Sequence, residues 1–363
     1  MTNKLFTPLH LKNITLPGRA VRSATELFCS TEDAHVYPYE YEVYRELSKE
    51  PLGMIITAHT CVSPEGRSNR WQNAVWSEDY LAESAEIAKS ATANGVPCVM
   101  QLGHGGMKAE GNNDGRQVYT PDNMTKEEIR GVVKAFGAAA ERAMRAGFSG
   151  VMLHGAHMYL LSQCFYPEYN HRTDEYGGCA ENRFRIVREI FEEIKTVCGE
   201  KIPVFMKING DDRDNTEQYH KDIVTVLGIC EKMGMDAVEI SGWSSARQGR
   251  PDAPYFIDNI RRLRKETGIP LIAVGGIRTA GDIEALFDAG ADAVSMARPF
   301  LQDPGVVRKL AEGKDTGCTG CCSCFKALER RRILWCGVRS GKDKERGRTG
   351  VQRWKRYRLI FCP

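Results

Sequence analysis

At 363 residues, with 50 Lys/Arg against 47 Asp/Glu, the chain is long enough for one large α/β domain and carries no global charge that singles out nucleic acid or a membrane surface. No apolar run approaches the roughly 20 residues a membrane-spanning helix needs, and the start, Met1 to Pro8, offers neither an apolar h-region nor a cleavage site, so export is not expected. The charge is unevenly placed: from Lys326 onward thirteen Lys/Arg face Glu329, Asp343 and Glu345, a surplus of +10, which against the whole-chain +3 leaves residues 1–325 at −7. Apolar runs rich in Val, Ile and Met predict strands at residues 20–24, 54–61, 98–102, 150–153, 204–208, 237–240, 270–274 and 293–296. Between them, helical spacing predicts helices at 80–94, 125–146, 181–197, 218–233 and 279–289, the second opening on a capping box of Thr125 and Glu128. Eight strands alternating with helices predict an α/β fold of the (β/α)8 TIM-barrel class, a single domain over 1–325 with a basic irregular tail at 326–363. Two long insertions, 103–121 after the third strand and 162–181 after the fourth, fall on the strand-end face and are expected to wall or cover a substrate.

The chemistry gathers at those strand ends. The fourth strand opens into His154-Gly155-Ala156-His157-Met158-Tyr159, at the edge of the sheet where catalytic groups collect in parallel α/β proteins. Two imidazoles there can hydrogen-bond one carbonyl or anionic oxygen, and a phenol beside them can deliver a proton. Taken alone, the cluster suits packing as well as catalysis. The seventh strand ends in Gly275-Gly276 and the eighth in Ala297-Arg298. Bare backbone N–H groups plus a guanidinium form a phosphate cradle, against the plainer alternative of a tight turn and a surface arginine. Ser23, Thr25, Gln101, Lys207 and Asn209 end other strands. A lysine inside the buried strand Val204-Phe205-Met206-Lys207-Ile208 needs an anion. A ligand, an acidic side chain inside the barrel, and a desolvated Schiff-base lysine all remain open here.

Phe6-Thr7-Pro8-Leu9, Arg22-Ser23-Ala24-Thr25, Gln101-Leu102-Gly103-His104, the run from His154 to Gln163, Asn170 to Gly178 followed by Glu181-Asn182-Arg183-Phe184, and the two phosphate-type loops together resemble the old yellow enzyme family of flavoproteins. The resemblance is collinear from about Leu5 to Phe325 and leans toward the 2,4-dienoyl-CoA reductase-like branch. It implies FMN at the barrel mouth, reduced by NADH or NADPH and reoxidised by an α,β-unsaturated carbonyl compound. It implies that Ser23, Ala24 and Thr25 line the flavin, that the backbone near Ala58 and His59 approaches it, and that Gln101 bonds its pyrimidine edge. Lys207 is implied beside N1 and the C2 oxygen, and Gly275, Gly276, Ala297 and Arg298 at the phosphate. His154 and His157 are implied to grip the substrate carbonyl while Tyr159 protonates the α-carbon. Met158 stands where the family usually has glycine, and is expected to narrow the pocket or tilt the Tyr159 ring; Glu26 and Phe28 occupy variable positions. Two other readings stand beside the ene-reductase: a flavin and iron–sulfur dehydrogenase or demethylase, and a catalytically idle barrel that only binds.

Thirteen cysteines include seven scattered singly before residue 231, which suit a reducing compartment and hence the cytoplasm. Five crowd between Cys318 and Cys336. The spacing Cys318-x2-Cys321-x2-Cys324-x11-Cys336 has the form of a [4Fe–4S] ligand set, with zinc or free thiols as alternatives. The tail beyond Lys326 matches nothing in the family; a reading-frame shift near Glu329 accounts for that and for its charge. The expected partner is a small-molecule substrate, with no membrane and no nucleic acid at the barrel, and homo-oligomer formation is left open.

Overall fold

The computed structural model describes residues 3–110, 118–243 and 252–324. A two-residue hairpin, β1 (Leu9–His10) and β2 (Thr15–Leu16), precedes eight parallel strands: β3 (Ala20–Arg22), β4 (Met54–Cys61), β5 (Cys98–Gly103), β6 (Gly150–Gly155), β7 (Val204–Asn209), β8 (Ala237–Ser241), β9 (Leu271–Val274) and β10 (Ala293–Met296). They close into a barrel, β10 pairing with β3. The expected (β/α)8 architecture is therefore present, with every barrel strand at its expected place.

Around it lie α1 (Tyr39–Ser48), α2 (Leu81–Thr92), α3 (Lys126–Arg145), α4 (Leu160–Phe165), α5 (Ala180–Arg183), α6 (Arg185–Cys198), α7 (Glu217–Met233), α8 (Ile257–Glu266), α9 (Ala280–Asp288), α10 (Arg298–Gln302) and α11 (Val306–Ala311). The Thr125–Glu128 capping box forms as expected, and a second, Thr279–Asp282, opens α9. Among the described residues no helix is long and apolar enough to cross a membrane.

Strand periodicity sorts the core into two. Val21, Met54, Ile56, Val99, Met152, Phe205, Ala237, Ile272 and Ala293 fill the barrel interior, and Leu9 and Leu16 of the hairpin pack with them. Their neighbours, such as Ile55, Met100, Leu153 and Val238, pack in the larger core that includes the helices.

One buried carboxyl lies outside this sorting. Glu40 of α1 accepts two hydrogen bonds from Asn73 Nδ2, at 3.0 and 3.1 Å. Burial pushes its pKa up to about 7, against the opposing Asn73 bonds. A carboxyl with a folded pKa above its unfolded value contributes stability that is complete below the unfolded pKa and lost as pH rises through the folded one. Glu40→Gln should therefore flatten the stability profile between about pH 4.5 and 7, removing a fall on the order of 3 kcal/mol. Urea midpoints across that range test this; an unchanged slope contradicts it.

Candidate active site

The site is the next polar layer of the same strand faces. Two residues beyond each inner apolar side chain stand Ser23 after Val21, Gln101 after Val99, His154 after Met152, Lys207 after Phe205, Glu239 after Ala237 and Ser295 after Ala293, all buried. On β4 the register shifts between Ile56 and His59. A bulge of this kind re-aims side chains, and here His59, not Ala58, lines the cleft. The cleft encloses about 1020 Å³, counting space open to solvent.

Lys207 is paired within the barrel. Its anion is already in the protein: Nζ lies 2.7 Å from Glu239 Oε2, directly across the β7–β8 register, and donates to Ser23 Oγ at 2.8 Å. Ser295 Oγ donates to the other Glu239 oxygen. Both charges are almost wholly enclosed, at 3% and 0% exposure, so neither is tolerable without the other. The open alternative of an ion pair inside the barrel is the one that forms. Lys207 still lines the cleft, so it can answer a ligand as well as Glu239.

At the fourth strand end the rings of His154 and Tyr159 lie 4.6 Å apart and those of His154 and His157 5.3 Å apart. His154 Nδ1 is buried with no partner among the described residues. His157 Nε2 shares a hydrogen bond with Ser241 Oγ at 2.9 Å, and its backbone N–H donates to Asn209 Oδ1 at 3.1 Å. Burial, with neighbouring positive charge, holds both imidazoles well below the usual histidine range, so both are neutral near pH 7. Burial, then the Glu26 carboxylate, pushes Tyr159 up to about 12, which keeps the phenol protonated.

At the other end of the cleft Gly275 and Gly276 have φ of +97° and +81°. A Cβ on Gly276 would sit 2.7 Å from the Tyr255 backbone nitrogen. Ala297 and Arg298 also line this end. So does Arg278, which the sequence reading passed over. It is buried, its Nη1 donates to the Ile277 carbonyl, and its Nε and Nη2 lack partners among the described residues. An unsatisfied buried guanidinium beside bare glycine backbone calls for an anion. Gly276→Ala combines a clash with a disfavoured φ, strain of about 1–3 kcal/mol, so flavin affinity should fall about tenfold or more. Fluorescence titration of FMN checks this, and unchanged affinity would place the phosphate elsewhere.

The remaining expectations divide. Ser23, Ala24, Thr25 and Gln101 line the cleft, with Gln101 Nε2 lying 3.3 Å from Met152 Sδ. Ala58 does not: its N–H donates to the Tyr44 hydroxyl and its carbonyl accepts from Thr57 Oγ1, so its backbone is already committed. Met158 is absent from the lining too. Its side chain is buried against Ser162 and it adopts φ +62°, next to His157 at +59°. A left-handed φ explains why glycine suits the position, and Met158 acts on the turn that carries Tyr159 rather than on pocket width. The 103–121 insertion reaches the site through Lys108, whose Nζ donates to the His157 carbonyl at 2.7 Å and lies 5.5 Å from the Tyr159 ring centre. No residue of 162–181 lines the cleft.

Cys318, Cys321, Cys322 and Cys324 line a small separate cavity with Arg298 and Gln302, and Arg298 Nη1 donates to Cys322 Sγ at 3.1 Å. Among the described residues no three His, Cys, Asp or Glu side chains are placed to hold a metal, so the described thiols do not by themselves fit an iron–sulfur cluster. Cys336 and the basic tail after Lys326 lie outside the described residues.

A closed parallel barrel whose one cleft is lined by a buried arginine beside bare glycine backbone, and by imidazoles with a phenol, belongs to the class of barrels that take a phosphate-bearing ligand at the strand ends. The chain belongs to the NADH:flavin oxidoreductase / NADH oxidase family, which it matches over residues 4–316. It is 32% identical over 324 residues to the NADPH dehydrogenase of Halalkalibacterium halodurans, covering 86% of this chain and 95% of that protein. Among solved structures it is similar to morphinone reductase, at 25% identity and a TM-score of 0.75 over 85% of this chain and 90% of that one. A 2-naphthoyl-CoA reductase shares the fold, at 22% identity and a TM-score of 0.83; the match covers 93% of this chain but 57% of that longer one. The protein is thus an FMN-dependent oxidoreductase that uses NAD(P)H.

Proposed function

We propose that the protein is an ene-reductase, which uses NAD(P)H through FMN to reduce the C=C bond of α,β-unsaturated carbonyl compounds. The observation that carries this reading is the pairing of two neutral imidazoles with a protonated phenol at the cleft end opposite the anion cradle. FMN, when bound, supplies the hydride chemistry of both half-reactions. Gly275, Gly276, Arg278, Ala297 and Arg298 would hold its phosphate, and Ser23, Ala24, Thr25, Gln101 and Lys207 its ring system. The polarity of the site supports the rest. His154 Nδ1, unpartnered in the described protein, would present an N–H to the substrate carbonyl oxygen. His157 would join it by exchanging Ser241 for that oxygen. Neutral donors suit this task, because they draw electron density from the alkene without surrendering a proton to the oxygen. Tyr159 would then protonate the α-carbon.

The substrate is a small molecule, and the cysteines scattered singly before residue 231 favour a reducing compartment, the cytoplasm. Steady-state assays with NADPH and cyclohexenone test the proposal. Stoichiometric cyclohexanone formation is expected; NADPH oxidation that depends on oxygen and yields no saturated ketone would overturn it.

A further inference from the structure

A chain of polar side chains runs from the cleft to the Tyr159 phenol. Glu26 Oε2 lies 2.7 Å from His59 Nε2. Gln72 Nε2 donates to His59 Nδ1 at 2.8 Å and to the His59 carbonyl at 3.2 Å. The amide is fixed in that sense because Gln72 Oε1 accepts from the Ser68 backbone N–H at 2.7 Å and from the Ser68 hydroxyl at 3.0 Å. Ser68 also interacts with the Tyr159 phenol, in the sense that favours its ionised form. The His59 and Tyr159 rings lie 4.9 Å apart, so the phenol sits between His59 and His154.

This arrangement fixes the state of His59. Its Nδ1 accepts from Gln72, which leaves the ring proton on Nε2, 2.7 Å from the Glu26 carboxyl, and no ring lone pair for substrate. His59 is therefore no general base, and the Glu26 carboxyl lies on its far side from Gln72. The other groups facing Tyr159 are His154, Cys61 and Lys108, the last over its ring.

We propose that Glu26, His59, Gln72 and Ser68 are positioning residues for Tyr159, which fix the phenol and keep its proton in place until the substrate takes it. This inference rests on the ene-reductase reading. When Tyr159 gives up its proton, the O–H bond breaks with its electron pair left on oxygen. The new C–H bond uses the electron pair on the substrate α-carbon. Ser68 can then turn its hydroxyl proton onto the phenolate, because Gln72 Oε1 keeps the Ser68 backbone N–H. Solvent water supplies the replacement proton.

The test measures reoxidation of the NADPH-reduced holoenzyme by cyclohexenone as a function of pH. Glu26→Gln removes the anion, so reoxidation should slow and its alkaline limb should move down by about one pH unit. Ser68→Ala removes the interaction that accommodates the phenolate, so its limb should move up. In a Tyr159→Phe background Glu26→Gln should add less than about twofold and shift no limb, since residues acting through one group are not additive. Equal effects of Glu26→Gln in both backgrounds, or limbs that move in the same direction in the two single variants, would overturn the inference. Tyr159→Phe reoxidising at the wild-type rate would instead sink the ene-reductase reading itself.

Discussion

Tyr159→Phe is expected to slow reoxidation of the reduced enzyme by an enone by about 10²–10⁴-fold, the range of a lost general acid. Reduction by NADPH should change by no more than about threefold, because hydride transfer from nicotinamide to flavin needs no proton from this phenol. The physical basis is local. The ring is clasped between His59 and His154, and burial with the Glu26 carboxylate keeps the hydroxyl protonated well above pH 7. An unperturbed phenol would already be protonated near pH 7, so the site adds placement and resistance to premature ionisation. Anaerobic stopped-flow measurement of each half-reaction separates the two rates; equal losses in both would contradict the acid role.

Removing one member of the barrel ion pair should have the largest effect on stability. Glu239→Ala leaves the enclosed Lys207 joined, among the described residues, to Ser23 alone, and is expected to cost about 3–5 kcal/mol. The double replacement Lys207→Met with Glu239→Leu should recover most of that loss, since a well-packed apolar pair avoids the desolvation that the ion pair must offset. It should also weaken FMN binding, because Lys207 lines the cleft. Urea unfolding of the holoenzymes checks the stability order. A double variant no more stable than Glu239→Ala would mean that the cost lies in packing and not in charge.

The barrel was legible because its signal is coarse. Strands buried on both faces read as short apolar runs, and eight of them separated by helical spacing leave few architectures. The β1–β2 hairpin escaped because two-residue strands carry no periodicity. The charged run Ile257–Glu266 escaped because only Ile260 and Leu263 of α8 are buried. Within the site, the strand-end histidines, tyrosine and glycines stood out as residue types. Pairings across strands did not. Glu239 lies in a run that looks merely apolar, Ala237-Val238-Glu239-Ile240, and only the β7–β8 register sets it against Lys207. A buried lysine and a buried glutamate on successive strands were a usable signal. The β4 bulge had none, so Ala58 and His59 were both expected at the site, and only the register shift separates His59, which lines the cleft, from Ala58, which does not. Arg278 and the Glu26-to-Ser68 chain depend on loops meeting in space, which spacing along the sequence does not encode.

The central claim is that one cleft carries hydride from NAD(P)H through FMN to an activated alkene. Anaerobic mixing of the purified holoenzyme with NADPH, followed by cyclohexenone, tests it most directly through the flavin absorption band. The band is expected to bleach with NADPH and return with the enone, one saturated ketone forming per flavin. A protein that purifies without FMN and binds none, or a bleached band that returns only with oxygen, would contradict it.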